Sequence, residues 1–354
     1  MIPPLQVGLA GFGISARVFH APFLAAMPEE YHLHTVWERH GPQAPALYPG
    51  VRSVADTQAL FEHPDIDLIV ITTPNSTHAD YAARALRAGK HVVVEKPFTI
   101  TTGEAITLMD LASGSGRVLS VYQNRRYVSD FLTIQEVLGK GLLGRVHEFE
   151  AHYDRYRPGP KAGAWREEPL EGSGILYDLG PHLIDQAFCL FGLPDGVYAD
   201  IRMERPHARA VDYFDLQLYY PGLKVILKGG MLVREPGPRY MIHGFEGSFV
   251  KFGEDPQEAL LRAGVRPGGG GWGEESPEWY GILHTEQAGK GIYPSLPGNY
   301  GLFYRHLYAT LTEGAPLRTT PAHGYNTVRL IELAMESGRR KALVEATGLL
   351  NVPY

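Results

Sequence analysis

The chain has very little cysteine and no excess of positive charge. It contains one cysteine, Cys189, among 354 residues, so an internal disulfide is excluded. This scarcity fits a reducing compartment, and we predict a cytoplasmic location. The formal net charge of −6 is opposite in sign to that of a typical nucleic-acid-binding protein, so we expect no nucleic-acid partner.

Long hydrophobic runs are also missing. No basic segment followed by an apolar one opens the sequence, so no signal peptide is predicted. No apolar run is long enough to cross a bilayer, and we expect no membrane association. The 44% hydrophobic and 20% charged residues are typical of a globular protein, and 354 residues favour two domains.

The first third of the chain alternates short apolar runs with helical patterns. The predicted strands are Val7–Ala10, Leu33–Trp37, Leu68–Thr72, Val92–Glu95 and Val118–Tyr122. The predicted helices between them are Ala16–Met27, Asp56–His63, Thr77–Ala88 and Thr102–Ser113. Apolar strands separated by helices of this length form a buried parallel sheet. We therefore predict a doubly wound Rossmann domain over residues 1–123.

After about Asn124 the pattern changes to alternating runs joined by short turns, which is typical of antiparallel strands. The predicted strands are Val146–Tyr156, Tyr198–Met203, Tyr213–Tyr220, Lys224–Met231, Tyr240–Gly244 and Ser248–Phe252. The predicted helices are Ile175–Leu190, Gly301–Thr312 and His323–Thr347, and Arg262–Asn299 is expected to be irregular. Residues 124–354 are thus predicted to form an α+β domain on a mostly antiparallel open sheet.

A glycine-rich turn follows the first predicted strand and opens a helix. Its sequence is Gly11-Phe12-Gly13-Ile14-Ser15-Ala16, the G-x-G-x-x-A pattern of dinucleotide-binding turns. Gly11 allows a sharp turn, and Gly13 allows a pyrophosphate to approach the backbone. The helix N-terminus then attracts the phosphates. The alternative is a plain tight turn in a glycine-rich chain.

Two charged residues after the second predicted strand give opposite indications about the cofactor. Glu38 can accept hydrogen bonds from the adenosine ribose, which favours NAD. Arg39 can instead bind the 2′-phosphate of NADP. The alternative for both is a solvated strand end.

Further candidates follow the predicted strand Leu68–Thr72. Thr73, Pro74 and Asn75 stand at a corner that faces the cofactor in a doubly wound sheet, and Asn75 or Ser76 is expected to cap the next helix. His78, in the first turn of that helix, is also assigned to the cofactor, and the alternative is a partly exposed residue at the helix start.

Glu95 and Lys96 stand at the end of the predicted strand Val92–Glu95, and both are assigned to the cofactor. At the mouth of a buried strand, Lys96 could donate a hydrogen bond to a substrate oxygen. The alternative is a surface pair.

The residues Asp178, His182 and Asp185 are spaced to share one helical face. An aspartate beside a histidine fixes its tautomer and suits it to proton exchange with a hydroxyl. A helix that starts near Gly180 would place Asp178 at its edge. A metal site is a second interpretation, without an obvious third and fourth ligand. A helix with a solvated polar face is a third, which the apolar neighbours of His182 disfavour.

Arginines interleaved with aromatic residues indicate a polyhydroxylated ligand. These candidates for substrate binding include Arg155 and Trp165, and Asn124, after the last strand of the first domain, is assigned to the cofactor. They could equally be edge-strand side chains.

Together these motifs resemble the Gfo/Idh/MocA oxidoreductase family. The matching segments are Gly11-Phe12-Gly13, Thr73–His78, Glu95-Lys96-Pro97 and Asp178–Asp185. Other stretches resemble the branch of NADP-dependent scyllo-inositol dehydrogenases, namely Val18–Pro22, Leu119–Arg126, Tyr153–Pro158, Asp212–Phe214 and Trp272-Gly273. Two positions depart from that branch. Gln123 stands where histidine is frequent, and Glu38 stands where a small polar residue precedes the arginine.

The resemblance implies roles for three residues. Lys96 orients and polarises the reacting hydroxyl, His182 exchanges its proton, and Asp178 supports the pair. It also implies a homo-oligomer, a dimer or a tetramer, that associates through the sheet of the second domain.

We therefore predict an NAD(P)-dependent oxidoreductase that acts on a secondary hydroxyl or ketone of a sugar or cyclitol, without a metal. We predict dual cofactor use with a modest preference for NAD. The alternatives are a non-redox regulator that binds the cofactor, which would be expected to lack Lys96 or His182, and an NAD-dependent glycosidase of the same family.

Overall fold

A computed structural model describes residues 3–354 and divides into two compact units. The first unit comprises residues up to Tyr127 together with 257–272 and 299–325. The second comprises 128–256, 273–298 and 326–354. The two segments that return to the first unit could not be foreseen from local pattern. The predicted boundary after residue 123 stays a prediction.

The first unit contains a six-stranded sheet in the order β3-β2-β1-β4-β5-β6, with every adjacent pair parallel. Its strands are β1 Leu5–Ala10, β2 Tyr31–Trp37, β3 Arg52–Val54, β4 Leu68–Ile71, β5 His91–Val94 and β6 Leu119–Val121. The chain order reverses beside β1, so the residues that follow β1, β2 and β4 share one edge of the sheet, where such folds bind ligands.

Helices pack around this sheet because its central strands are buried on both faces. They are α1 Ala21–Ala26, α2 Ala44–Leu47, α3 Thr57–Phe61, α4 His78–Arg87 and α5 Thr102–Ser115. A π-helical turn, Ala16–His20, precedes α1. The Thr101 hydroxyl and the Glu104 carboxylate form a capping box at the start of α5. The first unit also holds α9 Gln257–Arg262 and α10 Gly301–Glu313.

The second unit is built on a nine-stranded sheet in the order β14-β13-β12-β11-β7-β10-β9-β8-β15. Its strands are β7 Val146–Asp154, β8 Gly196–Arg202, β9 Tyr213–Tyr220, β10 Leu223–Gly230, β11 Tyr240–Gly244, β12 Gly247–Lys251, β13 Gly281–Thr285, β14 Gly289–Tyr293 and β15 Val344–Glu345. All pairs are antiparallel except β7 with β10. Alternate residues of β7 and β9 are buried, so one face of the sheet carries the core.

The helices of the second unit are α6 Ser129–Gly139, α7 Gly174–Asp178 and α8 Gly180–Phe191. The long C-terminal helix α11 runs over Pro321–Arg340. The fold class predicted from the sequence, a Rossmann sheet followed by a mostly antiparallel open sheet, is confirmed.

Several predicted elements differ from those observed. The expected irregular stretch Arg262–Asn299 contains the hairpin of β13 and β14. The last helix ends at Arg340 rather than at Thr347. The predicted helix over Ile175–Leu190 is divided between Asp178 and Gly180, so Asp178 ends α7 and His182 lies in the first turn of α8.

Candidate active site

The glycine-rich turn follows β1 at the edge of the sheet where β2 and β4 also end. Gly11 has a φ of +104°, which glycine adopts without strain, and the Thr72 hydroxyl donates to its carbonyl at 3.0 Å. A Cβ on Gly13 would meet no atom of residues 3–354 within 4 Å, so its backbone is open to a ligand. Phe12 is buried, and Ile14 is 54% exposed.

Glu38, after β2, binds its own loop. Its carboxylate accepts hydrogen bonds from the backbone N–H groups of Gln43 and Ala44, the nearest at 2.9 Å, and from the Ser53 hydroxyl at 2.7 Å. Glu38 is buried, whereas Arg39 is exposed with its guanidinium 5.4 Å from the centre of the Trp37 ring. The contact of Glu38 with a ribose stays a prediction.

The corner after β4 contains Thr73, Pro74 and Asn75. Thr73 and Thr77 are joined through their hydroxyls at 2.7 Å. A 3₁₀ turn over Asn75–Thr77 precedes α4, whose N-cap position is held by Thr77. The prediction that Asn75 or Ser76 caps this helix is therefore wrong, because the extra turn moves the helix start.

His78 joins two loops of the first unit. Its Nδ1 lies 2.8 Å from the Pro97 carbonyl oxygen and its Nε2 lies 3.0 Å from the Thr73 carbonyl oxygen. Burial lowers the pKa of His78, so the neutral ring donates to one carbonyl at a time. At 1% exposure, His78 is not the partly exposed residue offered as the alternative. Its contacts tie the corner after β4 to the segment that carries Lys96.

Glu95 and Lys96 follow β5, and Glu95 is 8% exposed, so the alternative of a surface pair is wrong. The Glu95 carboxylate accepts hydrogen bonds from the Ser15 hydroxyl and from the Lys96 backbone N–H. It also lies 3.0 Å from His20 Nε2. The Lys96–Pro97 peptide bond is cis. Glu95 thereby joins the dinucleotide turn to the residue predicted to polarise the substrate.

Asn124 is buried at the start of a 3₁₀ turn, Asn124–Tyr127, that follows β6. It therefore leaves the sheet at the same edge as the glycine-rich turn and Lys96, because all six strands are parallel.

Asp178 and His182 lie close along the chain of the second unit, on consecutive helices. His182 is buried, and its ring centre lies 6.2 Å from that of Tyr153 on β7. Asp178 is partly exposed, and Arg166 Nε lies 3.3 Å from its Oδ1. The Arg166 guanidinium in turn lies 4.5 Å from the centre of the Trp165 ring. Trp165, Arg166 and Asp178 thus form one cluster.

Arg155 follows β7 and belongs to the same unit. Its backbone N–H donates to the Gly230 carbonyl at 3.0 Å, and its carbonyl accepts from the Val233 N–H. These bonds fix the backbone of Arg155 next to the end of β10, and its side chain is partly exposed.

A buried arginine that the sequence analysis missed anchors the Trp165 segment. Arg205 donates to Glu167 at 2.6 Å and to Asp212 at 2.9 Å. The sequence signal that points to Arg205 is the Asp212–Phe214 stretch, which contains its partner Asp212. Arg205 itself lies in a loop without a recognisable pattern. Lys96 belongs to the first unit, and Asp178, His182, Arg155 and Trp165 belong to the second.

Among residues 3–354, one set of three side chains brings possible metal-ligand atoms within 4.8 Å of one another: His34, His63 and Asp65. These residues lie on β2 and before β4, apart from every residue predicted to bind cofactor or substrate. Within the same described range, no helix is long and apolar enough to cross a membrane.

The first unit fits a dinucleotide. The open backbone at Gly13, the positive φ of Gly11 and the shared edge of β1, β2 and β4 provide room and N–H donors for a pyrophosphate. A Cβ on Gly11 would approach Thr72 Oγ1 at 3.2 Å and Thr73 Cγ2 at 3.3 Å, so a side chain there would crowd the turn as well as strain its backbone.

Two known proteins are similar in sequence to this chain along nearly its whole length. The scyllo-inositol 2-dehydrogenase (NADP+) of Bacillus subtilis is 40% identical over 346 residues, which cover 97% of this chain and 96% of that protein. An uncharacterised oxidoreductase of Escherichia coli is 43% identical over 341 residues, which cover 96% and 97% of the two chains.

Solved structures agree with these relatives. An oxidoreductase of Bacillus subtilis has a TM-score of 0.93 at 39% identity, covering 98% of this chain and 99% of that one. An oxidoreductase of Bacteroides fragilis has a TM-score of 0.89 at 44% identity, covering 97% and 99%.

Family models match both parts of the chain. The NAD-binding Rossmann fold of the oxidoreductase family matches residues 5–123, and the C-terminal alpha/beta domain of the same family matches residues 135–345. The chain therefore belongs to the Gfo/Idh/MocA oxidoreductase family and is an NAD(P)-dependent dehydrogenase.

Proposed function

We propose that this dehydrogenase oxidises a secondary hydroxyl of a cyclitol or sugar, or reduces the corresponding ketone, with scyllo-inositol as the first candidate. The observation that carries the proposal is the position of Lys96 in the first unit, where its backbone N–H donates to Glu95, the carboxylate that also accepts from Ser15 of the dinucleotide turn. In the second unit, the candidate proton acceptor His182 is buried. The named activity of the Bacillus subtilis relative supports the substrate class, as do a D-glucoside 3-dehydrogenase and a levoglucosan dehydrogenase, each 30% identical over about half of this chain.

Each of the proposed site residues has one task in this reaction. The Lys96 ammonium donates a hydrogen bond to the reacting oxygen and stabilises the negative charge that develops there. His182 accepts the hydroxyl proton during oxidation, and Asp178 orients the pair. A nicotinamide cofactor held by the first unit would supply the hydride acceptor for oxidation and the hydride donor for reduction. The partly exposed Arg155 and Trp165 are assigned to the substrate's other hydroxyls.

The dinucleotide is proposed to contact Gly11 to Ser15, the Thr73–Asn75 corner, Glu95, Lys96 and Asn124, with His78 holding the corner in place. We propose that both NAD and NADP are used. The predicted modest preference for NAD rests on Glu38, whose carboxylate accepts hydrogen bonds from residues 43, 44 and 53. Arg39 is exposed and remains available to a 2′-phosphate.

Three further features stay proposals. Residues 1–123 would bind the cofactor, and residues 124–354 would bind the substrate and form the oligomer. We propose a dimer or tetramer that associates through the face of the second sheet on which alternate residues of β7 and β9 are only partly buried. A cytoplasmic location rests on the sequence composition.

The test is a set of initial rates with scyllo-inositol, levoglucosan and simple D-glucosides, each with NAD and with NADP. Formation of reduced nicotinamide with at least one of these substrates is expected. A chain that binds the cofactor but reduces it with none of them would contradict the proposed substrate class.

A further inference from the structure

A buried chain of hydrogen bonds joins four segments of the first unit. His20, in the π-helical turn after the dinucleotide motif, is fully buried. Its Nε2 lies 3.0 Å from Glu95 Oε1, and its Nδ1 lies 2.6 Å from the Tyr304 hydroxyl on α10. Both ring nitrogens are therefore occupied by protein partners, and the imidazole has one orientation.

The far end of this chain is also fixed. Tyr304 is fully buried, and the Tyr31 hydroxyl donates to its carbonyl at 2.7 Å. The His20 ring packs on Tyr122 with 4.1 Å between ring centres. Because each member is enclosed by packed rings, His20 cannot release Glu95 without disturbing the core.

The near end of the chain reaches the proposed site. One Glu95 oxygen accepts from both His20 and the Ser15 hydroxyl, and the other accepts from the Lys96 backbone N–H at 3.0 Å. Ser15 belongs to the dinucleotide turn. One carboxylate thus connects the proposed cofactor and substrate groups.

His20 also affects the pKa of the Glu95 carboxyl group. Burial raises the pKa of Glu95, but the hydrogen bond and charge of His20, the charge of Lys96 and the Ser15 hydroxyl together lower it to about 2. His78, Tyr122 and Tyr304 are the other titratable groups that interact with this carboxylate. Without the His20 donor, burial would favour the protonated acid, which can no longer accept from all its partners.

We propose that His20, anchored by Tyr304, is a positioning residue that holds the Glu95 carboxylate, and through it Ser15 and Lys96, in the arrangement that binds the nicotinamide cofactor. The inference rests on the proposed function, because it concerns the same site. It adds a residue outside the predicted set and assigns α10, nearly 300 positions away along the chain, to the support of that site.

The experiment measures the dissociation constants of NADH and NADPH by their fluorescence, without substrate, at about pH 8 and about pH 5.5. His20→Phe is expected to weaken cofactor binding about fivefold at the higher pH. At the lower pH we expect a further loss of more than tenfold, because Glu95 takes up a proton there. His20→Gln, whose amide can donate to Glu95, is expected to recover most of the affinity. Tyr304→Phe should show a smaller loss of the same kind.

Tyr308→Phe is the matched control, because Tyr308 lies one turn further along α10, is partly exposed and contacts Tyr31 rather than His20. Thermal unfolding identifies any variant that does not fold, and His20→Gln and Tyr304→Phe keep the test decisive if His20→Phe fails. Wild-type affinity at both pH values in the folded His20 and Tyr304 variants would overturn the inference. Failure of the wild-type chain to bind either cofactor would instead contradict the proposed function.

Discussion

Lys96 carries the main electrostatic contribution that we assign to the first unit. Its backbone is held by Glu95, so removal of its side chain beyond Cβ should leave the turn around it intact. Lys96→Ala is expected to lower turnover about a hundredfold, equivalent to about 3 kcal/mol of transition-state stabilisation. Steady-state kinetics with the best substrate measures this loss. Lys290→Ala, at an exposed position of β14, is the control. Turnover within threefold of wild type would remove Lys96 from the mechanism.

We assign transfer of the hydroxyl proton to His182, so its role should be visible in the pH dependence of the oxidation rate. A histidine accepts a proton only when its ring is neutral, and the oxidation rate should therefore rise with pH across the neutral range. His182→Asn is expected to be slow and to lack this rise. Rate profiles of the variant and of the exposed control His284→Asn provide the comparison. An unchanged rise in the His182 variant would show that another group is the base.

Arg39 and Glu38 differ in their availability to the cofactor. Glu38 is bound to its own loop, whereas the Arg39 guanidinium is exposed beside Trp37. Arg39→Ala is expected to weaken NADP binding about tenfold, or about 1.4 kcal/mol, while NAD binding changes less than twofold. Arg52→Ala, on the neighbouring strand β3, is the control. Equal losses for both cofactors would mean that Arg39 does not contact the 2′-phosphate.

At the scale of elements, the start of α6 places an ionisable group among other buried charges. Asp130 is 2% exposed and lies 3.8 Å from Arg239, whose guanidinium packs 3.5 Å from the centre of the Tyr153 ring. Burial is the largest influence and raises the pKa of Asp130 to about 6, with Asp255 and Glu275 acting in the same direction and Arg239 and Lys251 in the opposite one. Because the folded state holds this proton more tightly than the unfolded state does, its contribution to stability is present at low pH and is lost as pH rises through about 6.

Asp130→Asn should remove this pH dependence. Relative to wild type, the variant is expected to gain up to about 3 kcal/mol in free energy of unfolding between about pH 4 and pH 7, since its amide cannot ionise. Urea denaturation at the two pH values measures the change, with the exposed Asp110→Asn as control. A difference between variant and wild type that is constant with pH would contradict this account of Asp130.

Long, strongly patterned elements could be predicted from the sequence, and short or unusually packed ones could not. The capping box at Thr101 and the apolar β4 and β5 carry their signals locally. β13 begins at Gly281, a poor strand residue that is required there because a Cβ would lie 2.2 Å from the Phe249 ring. The β3 strand has three residues and is defined by its pairing with β2.

Residues that we propose to touch the ligand could be predicted from the sequence, and residues that support another residue could not. Gly11, Lys96 and His182 belong to motifs with known chemistry, so the sequence singles them out. His20 and Arg205 act through partners that are close only after folding, such as Tyr304 for His20 and Glu167 for Arg205. The surroundings of Glu38 were equally invisible, because its hydrogen bonds depend on the path of the following loop.

At the scale of the whole molecule, the proposed oxidation consumes the cofactor. A regulator that binds the dinucleotide would leave it unchanged, and a glycosidase that returns the hydride would show no net reduction. A dehydrogenase passes the substrate's hydrogen to the nicotinamide and leaves it there. The three alternatives therefore differ in where the substrate's hydrogen is found after the reaction.

The most direct test follows that hydrogen. The 354-residue chain is incubated with oxidised NAD or NADP and scyllo-inositol deuterated at its ring carbons, and the reduced cofactor is analysed by mass spectrometry. We expect one deuterium in each reduced nicotinamide and a matching amount of ketone, with Lys96→Ala forming both much more slowly. If the labelled cyclitol binds but neither deuterated cofactor nor ketone forms, the assignment of this chain as a cyclitol dehydrogenase is contradicted.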